Sequence, residues 1–259
     1  MNIEKVTSST YRLTDRSSKI NVGLVVTKDG ALVVDTGSSP EAGREISQFI
    51  ADVTSQPVAY VVNTHHHLEH SGGNLAFQVP VLSHVSCYHD MLREKKRLTL
   101  QGEVPPELKL PEVCFSDRGY LMLGSTFIEF IPVPGHTEGS LAVHLPAEGV
   151  LFGGDAFSVD PISADQDCDL PRWIESVLRI RSLGIQRIIP GRQETYGPEG
   201  LDALQSSLER IAGGLVREDS RLDVATGLLR FDSPIRRQGP AKGVANRRLG
   251  RLSSESSGG

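Results

Sequence analysis

Short β-rich segments alternate with longer amphipathic ones through most of the chain. This predicts an α/β (α+β) protein, a layered domain with helices packed on sheets. Two runs carry the prediction. In the first half a hairpin signal leads into a helical stripe and then a buried strand. In the second half several strand-like runs lead into two helical stripes separated by another short strand.

Val22 to Thr27 and Ala31 to Val34 are rich in β-branched and aliphatic residues and flank Lys28-Asp29-Gly30, where glycine can supply a positive φ. Ser39-Pro40-Glu41 reads as a helix start: a serine N-cap, a proline at the first helical position and an acid near the positive end of the dipole. Ile46, Phe49, Ile50 and Val53 follow at helical spacing. Val58 to Val62, bounded by Pro57 and Asn63, reads as a buried strand. Phe127 to Val133, Leu141 to Leu145, Val150 to Phe152 and Arg187 to Ile189 read the same way. Leu170, Trp173, Ile174, Val177 and Leu178 form a helical stripe closed by Gly184. Leu201, Leu204, Leu208, Ile211 and Leu215 mark a last long helix. From about Ser233 the chain turns basic and Gly/Ser-rich without apolar periodicity. Residues 1–232 are therefore expected to form the domain and 233–259 a disordered tail.

The 259 residues carry 27 Lys and Arg against 32 Asp and Glu, a formal net charge of −5. That mildly acidic balance argues against a nucleic-acid partner, which needs a basic surface, and leaves a small-molecule substrate as the expected partner. No apolar run approaches the ~18 residues of a membrane span. Three scattered cysteines without a C-x-x-C pair, and no secretory leader at Met1 to Ser8, point to a reducing, cytoplasmic setting. Oligomeric state is not legible.

Histidine is concentrated: four of the eight lie between His65 and His70. His65 and His67 are two apart, and at a strand end such a pair points to one side, so both imidazoles can reach one ion. Glu69 and His70 follow in a turn leading to Ser71-Gly72-Gly73-Asn74, where glycines let the backbone bend. A histidine run can also be a plain surface loop. Its place between a buried strand and a glycine turn favours a metal site. His66 alternates away from its neighbours, and His84, His89 and His144 read as structural or exposed. Two further segments offer donors after strands: His136 in Val133-Pro134-Gly135-His136-Thr137, and Asp155 in Gly153-Gly154-Asp155-Ala156. Jointly these nitrogen and oxygen donors suit zinc or iron.

Asp35 in Val33-Val34-Asp35-Thr36-Gly37, then the histidine run, Gly135-His136 and Gly154-Asp155 follow one another in an order and spacing that resembles the metallo-β-lactamase superfamily over nearly all of residues 1–230. The resemblance implies a four-layer αβ/βα sandwich with metals at one edge of its two sheets. It also implies a first metal site of His65, His67 and His136, and a second of Glu69, His70 and a bridging Asp155. Asp35 matches a buried aspartate that orients a ligand through a hydrogen bond.

Two departures from the family pattern fall on the second site. The acid of the run is Glu69 rather than aspartate, one methylene too long where ligand distances hold within about 0.2 Å. The last core strand ends Pro190-Gly191-Arg192 rather than Pro-Gly-His, and arginine is a permanent cation that cannot ligate. One tightly bound Zn2+ is expected, with the second weak or absent and iron as the alternative ion. Arg192 either clamps an anionic group of the substrate or turns out to solvent.

The chemistry implied is hydrolysis of an ester, thioester, lactone or amide (β-lactam-like) bond by metal-activated water, with Asp155 or Glu69 accepting a proton. Two rivals stand beside it. One is a mononuclear-iron dioxygenase acting on sulfur (persulfide) substrates, using His65, His136 and Asp155. The other is a metal-binding relative without catalysis. The segment Lys95 to Gly119 is expected to loop over the site.

Overall fold

Strand after strand in this chain is apolar on both of its faces, because each sheet is covered twice. In the computed structural model, which describes residues 1–16, 18–100, 108–159, 162 and 168–218, the elements follow in the order β1 (Asn2–Lys5), β2 (Thr10–Thr14), β3 (Asn21–Thr27), β4 (Gly30–Val34), α1 (Pro40–Val53), β5 (Val58–Val62), α2 (Leu68–Ser71), β6 (Val81–His84), α3 (Val85–Leu100), β7 (Val113–Phe115), β8 (Gly119–Leu123), β9 (Thr126–Pro132), β10 (Leu141–Leu145), β11 (Val150–Gly154), α4 (Leu170–Ile180), β12 (Arg187–Pro190) and α5 (Gly200–Glu218). One sheet runs β1-β2-β3-β4-β5-β6-β7, antiparallel to β4 and parallel beyond it. The other runs β12-β11-β10-β9-β8, antiparallel except for the β11–β12 pair.

Alternation along the strands builds three apolar layers between four layers of structure. Leu32 and Val34 of β4 and Val62 of β5 point into the space between the sheets, against Ile128, Phe130, Val143 and Phe152. Their neighbours Ala31, Val33 and Val61 point the other way, onto Ile46 and Ile50 of α1. On the far side Ile131, Ala142, Leu151 and Ile188 meet Trp173 and Val177 of α4 and Leu204 and Leu208 of α5. This is the αβ/βα sandwich.

Local signals act where the sequence placed them. Ser39 caps α1, its side chain accepting from the Ala42 amide. Gly30 closes the β3–β4 hairpin at φ 139°, and Gly184 is left-handed after α4. Three expectations change. The segment Lys95 to Leu100 is not a loop: Leu98 extends the buried Cys87–Met91 stripe, so α3 continues through it. Beyond it Val113–Phe115 pairs as β7, and residues 101–107 lie outside the described residues. Second, Gly72 and Gly73 keep ordinary helical-region φ values of −64° and −86°. What they provide is close approach: a Cβ on Gly73 would lie 2.0 Å from the Thr36 carbonyl oxygen. Third, β5 stops at Val62, so His65 and His67 sit in a loop rather than at a strand end. The domain boundary after residue 232 and the tail 233–259 lie outside the described residues. Among the described residues no helix is long and apolar enough to cross a membrane.

Trp173 anchors the outer layer. It is fully buried and its indole N–H donates to the Ala156 carbonyl at 2.7 Å. Trp173→Ala is expected to cost about 3–5 kcal/mol, the usual range for emptying a buried aromatic site. Urea unfolding checks this: an unchanged midpoint would contradict the packing described.

Candidate metal centre

The ends of β4, β5, β11 and β12 and the β9–β10 connection meet at one edge of the sandwich. Asp35 follows β4, the 63–70 segment follows β5, His136 lies between β9 and β10, Asp155 follows β11 and Arg192 follows β12. The two sheets are tied at this point by the Leu141 amide, which donates to the Thr64 carbonyl at 2.8 Å. That bond draws the loop bearing His65 towards the one bearing His136.

His65, His67 and His136 converge, with ring centroids 4.7, 4.9 and 4.9 Å apart in the pairs 65–67, 65–136 and 67–136. One ligand atom from each lies within 4.8 Å of the others. His65, His70 and Asp155 form a second such set. Glu69, expected in the second set, belongs to neither. His65 is common to both sets, so the trio His65, His136 and Asp155 is split between them.

Asp35 organises both sets from behind. It sits at a positive φ of 63°, a strained position for a residue with a side chain. Its Oδ1 accepts the Thr64 amide at 2.8 Å and its Oδ2 accepts the Thr64 hydroxyl at 2.7 Å. The same Oδ2 lies 3.0 Å from His70 Nδ1. Because the Thr64 hydroxyl gives its proton to Asp35, its oxygen accepts from His65 Nδ1, 3.0 Å away. This leaves the lone pair of His65 on Nε2. That atom is buried and has no hydrogen-bond partner among the described residues. A buried acceptor without a partner costs about 1–3 kcal/mol, and a metal ion held jointly with His67 and His136 satisfies it. The donor set therefore fits a divalent ion.

Electrostatics agree. Burial, then the charges on His70 and His136, hold the His65 imidazole well below its ordinary range, so it stays neutral as a ligand must. Burial pushes the Asp155 carboxyl up, but His70, by charge and hydrogen bond, outweighs that and holds it well below the usual carboxylate range. His70 feels burial in the opposite sense, and Asp155 and Asp35 on either side of it raise it to about 10.

Arg192 turns inward. Its Nε donates to Asp155 Oδ2 at 3.1 Å and a terminal nitrogen donates to Glu69 Oε1 at 2.8 Å. The backbone fixes this pose. Ile20 and Arg192 bridge as paired strand residues, and the Asn21 side chain donates to the carbonyls of Pro190 and Gln193 at 2.9 and 2.7 Å. Of the two alternatives read from sequence, the turn out to solvent is not what the guanidinium does: it is engaged with Asp155 and Glu69.

The remaining histidines lie outside both sets. His66 faces Asp90 at 3.6 Å. His84 donates to the Ser116 carbonyl and accepts the Ser86 amide, His144 pairs with Glu129 at 2.8 Å, and His89 is exposed beside Tyr88. Sequence reading missed Thr64, the link between Asp35 and His65. It also missed the reciprocal amide pair Asn63–Asn74, which pins the loop at 3.0 and 2.7 Å, and Trp173, whose ring lies 5.3 Å from His136. Thr64 and Asn63 flank the histidine run, which was the available signal. Trp173 carried none.

The model of the Metallo-beta-lactamase superfamily matches residues 17–192. A hydroxyacylglutathione hydrolase of Mesorhizobium japonicum is 30% identical over 125 residues, 48% of this chain and 43% of that protein. The chain thus matches under half the length of that relative. The acyl-coenzyme A thioesterase MBLAC2 of Homo sapiens is 23% identical over 78% of this chain and 83% of its own. A solved metallo-beta-lactamase from Pontibacter korlensis superposes with a TM-score of 0.66 at 24% identity, covering 80% of this chain and 98% of that one.

Proposed function

The chain belongs to the metallo-β-lactamase superfamily, and from that premise we propose that it is a metal-dependent hydrolase that cleaves thioesters of a small carrier thiol. The observation that carries the proposal is the unpartnered Nε2 of His65, buried and facing His67 and His136. The thioester preference is borrowed from the two relatives, whose names are those of a thioester hydrolase and a thioesterase.

His65, His67 and His136 would hold one zinc ion. Zinc so held lowers the pKa of water to about 7 and polarises a carbonyl oxygen. The chain's own groups do the rest. Asp35 and Thr64 fix the ring and tautomer of His65. Asp155, held ionised by His70, accepts a hydrogen bond from water and orients it without retaining the proton. The proton that water gives up ends on the departing thiolate or in solvent, and Glu69, 41% exposed, holds the Arg192 guanidinium against Asp155. Arg192, 29% exposed, keeps N–H donors free beyond the two it uses and can face a departing thiolate or a substrate carboxylate.

The proposal includes a single tight metal. Arg192 brings a fixed positive charge to Asp155 and Glu69, where a second cation would otherwise sit. It also includes a cytoplasmic setting, supported by the lack of a disulfide at Cys87, Cys114 or Cys168. Iron chemistry is less favoured because the trio it needs is split between the two sets.

The test is elemental analysis of protein purified without chelator, alongside a panel of acyl-glutathione and acyl-coenzyme A thioesters, lactones and a β-lactam. One zinc per chain with thioester turnover is expected. Metal without turnover on any member would favour the non-catalytic reading, and iron with oxygen uptake on a persulfide would favour the oxidoreductase.

A further inference from the structure

A cavity of about 320 Å³ lies beside the metal centre and shares its β9–β10 turn: Pro134 and Glu138 line it, while His136 midway between them belongs to the three-histidine set. Three arginines reach the same cavity from two places. Arg118 comes from the β7–β8 turn, and Arg172 and Arg179, two turns apart, come from one face of α4. Arg172 is paired with Glu138. The other two make no ion pair among the described residues. Arg179 donates only to the Pro132 carbonyl, at 2.5 Å, and Arg118 has no ion pair or hydrogen bond among the described residues. Asp117 lines the cavity too, its carboxylate accepting the Ser116 hydroxyl at 3.3 Å, so the lining sets three guanidiniums against the two carboxylates of Asp117 and Glu138. Ile131, Pro132 and Pro134 supply an apolar wall.

Two guanidiniums without acid partners, each with planar donors to spare, suit a dianion held by paired N–H···O bonds. A phosphate monoester supplies that charge on one group, whereas a single carboxylate supplies half of it. The apolar wall suits an organic body attached to the phosphate. We propose that this cavity binds the phosphate-bearing end of the carrier thiol, so that the scissile thioester at the histidines and the carrier's phosphate are read on either side of one turn. This rests on the thioesterase reading above and names its carrier class: a phosphorylated thiol, not one carrying only carboxylates. The grip lowers KM and leaves the chemical step alone, because neither Arg118 nor Arg179 touches the metal-centre residues.

The experiment uses the full chain and the R118A/R179A double variant. Both side chains sit at the surface, so folding is expected to survive, and R118K/R179K provides a conservative control that keeps the charge. Calorimetric titration compares coenzyme A, its form lacking the 3′-phosphate, pantetheine and inorganic phosphate. Kinetics compare an acyl-coenzyme A with the matching acyl-pantetheine. Coenzyme A is expected to bind the natural chain at least about tenfold more tightly than pantetheine, and to lose about tenfold or more in R118A/R179A. KM for the acyl-coenzyme A should rise to match, kcat should stay within about twofold of the natural chain's, and acyl-pantetheine kinetics should not change. Equal binding of coenzyme A and pantetheine, or an unaffected double variant, overturns the proposal. So does inorganic phosphate binding as tightly as coenzyme A, which would make free phosphate the ligand. Should the natural chain cleave no thioester, the hydrolase reading fails separately, and the titrations still decide the cavity.

Discussion

His136→Ala is expected to strip the tightly held ion and to lower kcat/KM on the best thioester by at least about 10³-fold, since metal activation of water and carbonyl are lost together. The mutation removes one of three imidazoles whose rings lie within 4.9 Å of each other, leaving two nitrogen donors. It leaves Trp173, buried and bonded to Ala156, in place beneath the turn. Folding is therefore expected to persist, and circular dichroism of the chelator-treated proteins separates loss of site from loss of structure. His89→Ala, exposed and outside both ligand sets, is the matched control and should retain both metal and activity. Asp35→Asn sits between these extremes. It keeps the volume but withdraws the charge that orders Thr64, His65 and His70, and should weaken metal binding about 10–100-fold. Retention of one full equivalent of metal and normal turnover by His136→Ala would remove the basis of the hydrolase assignment.

What could be read from sequence follows from how local each signal is. The β-rich run of β4 and the cap at Ser39 are decided by neighbours in the chain, and the structure keeps both. The histidine run was legible as a cluster because composition alone singles it out. The reason for its geometry was not. A strand-end argument placed His65 and His67 together, but their convergence with His136 is set by Thr64 and by Asp35 and the Leu141 amide, the last two distant in sequence. Arg192 shows the same limit. Its chemistry excluded it as a ligand, but its direction depends on Ile20 and Asn21, about 170 positions earlier in the chain. Lys95 and Lys96 suggested a loop because charge was read without the buried Leu98 that carries the helix past them. The arginine cavity was invisible for the same reason as the role of Asp35: its parts come from four segments that only the packed sandwich brings together.

The double change Glu69→Asp with Arg192→His should raise bound metal from one equivalent to two. In the natural chain the second set already has His65, His70 and Asp155 within reach of one another, so ligands are not what it lacks. On the proposed single-metal reading, what opposes a second ion is the guanidinium 3.1 Å from Asp155 and 2.8 Å from Glu69. Two unit charges about 4 Å apart repel by about 4 kcal/mol at an effective dielectric constant near 20, and a divalent ion feels more. Histidine at 192 exchanges that repulsion for a neutral nitrogen donor, while aspartate at 69 shortens the arm that now reaches to Arg192. Arg192→Ala alone should remove the repulsion without adding a ligand, giving a weak second ion, and Glu69→Asp alone should change little because the charge remains. A second signature comes from His70. Its neighbours raise it to about 10, so an ion entering this set must displace a proton. Affinity for the second equivalent should therefore climb as pH rises towards 10, while the first equivalent, bound through the already neutral His65, should depend on pH much less. Calorimetric zinc titration at several pH values reads stoichiometry and proton release in one measurement. A double variant that still binds one ion, with no proton release on further addition, would overturn the role proposed for Arg192.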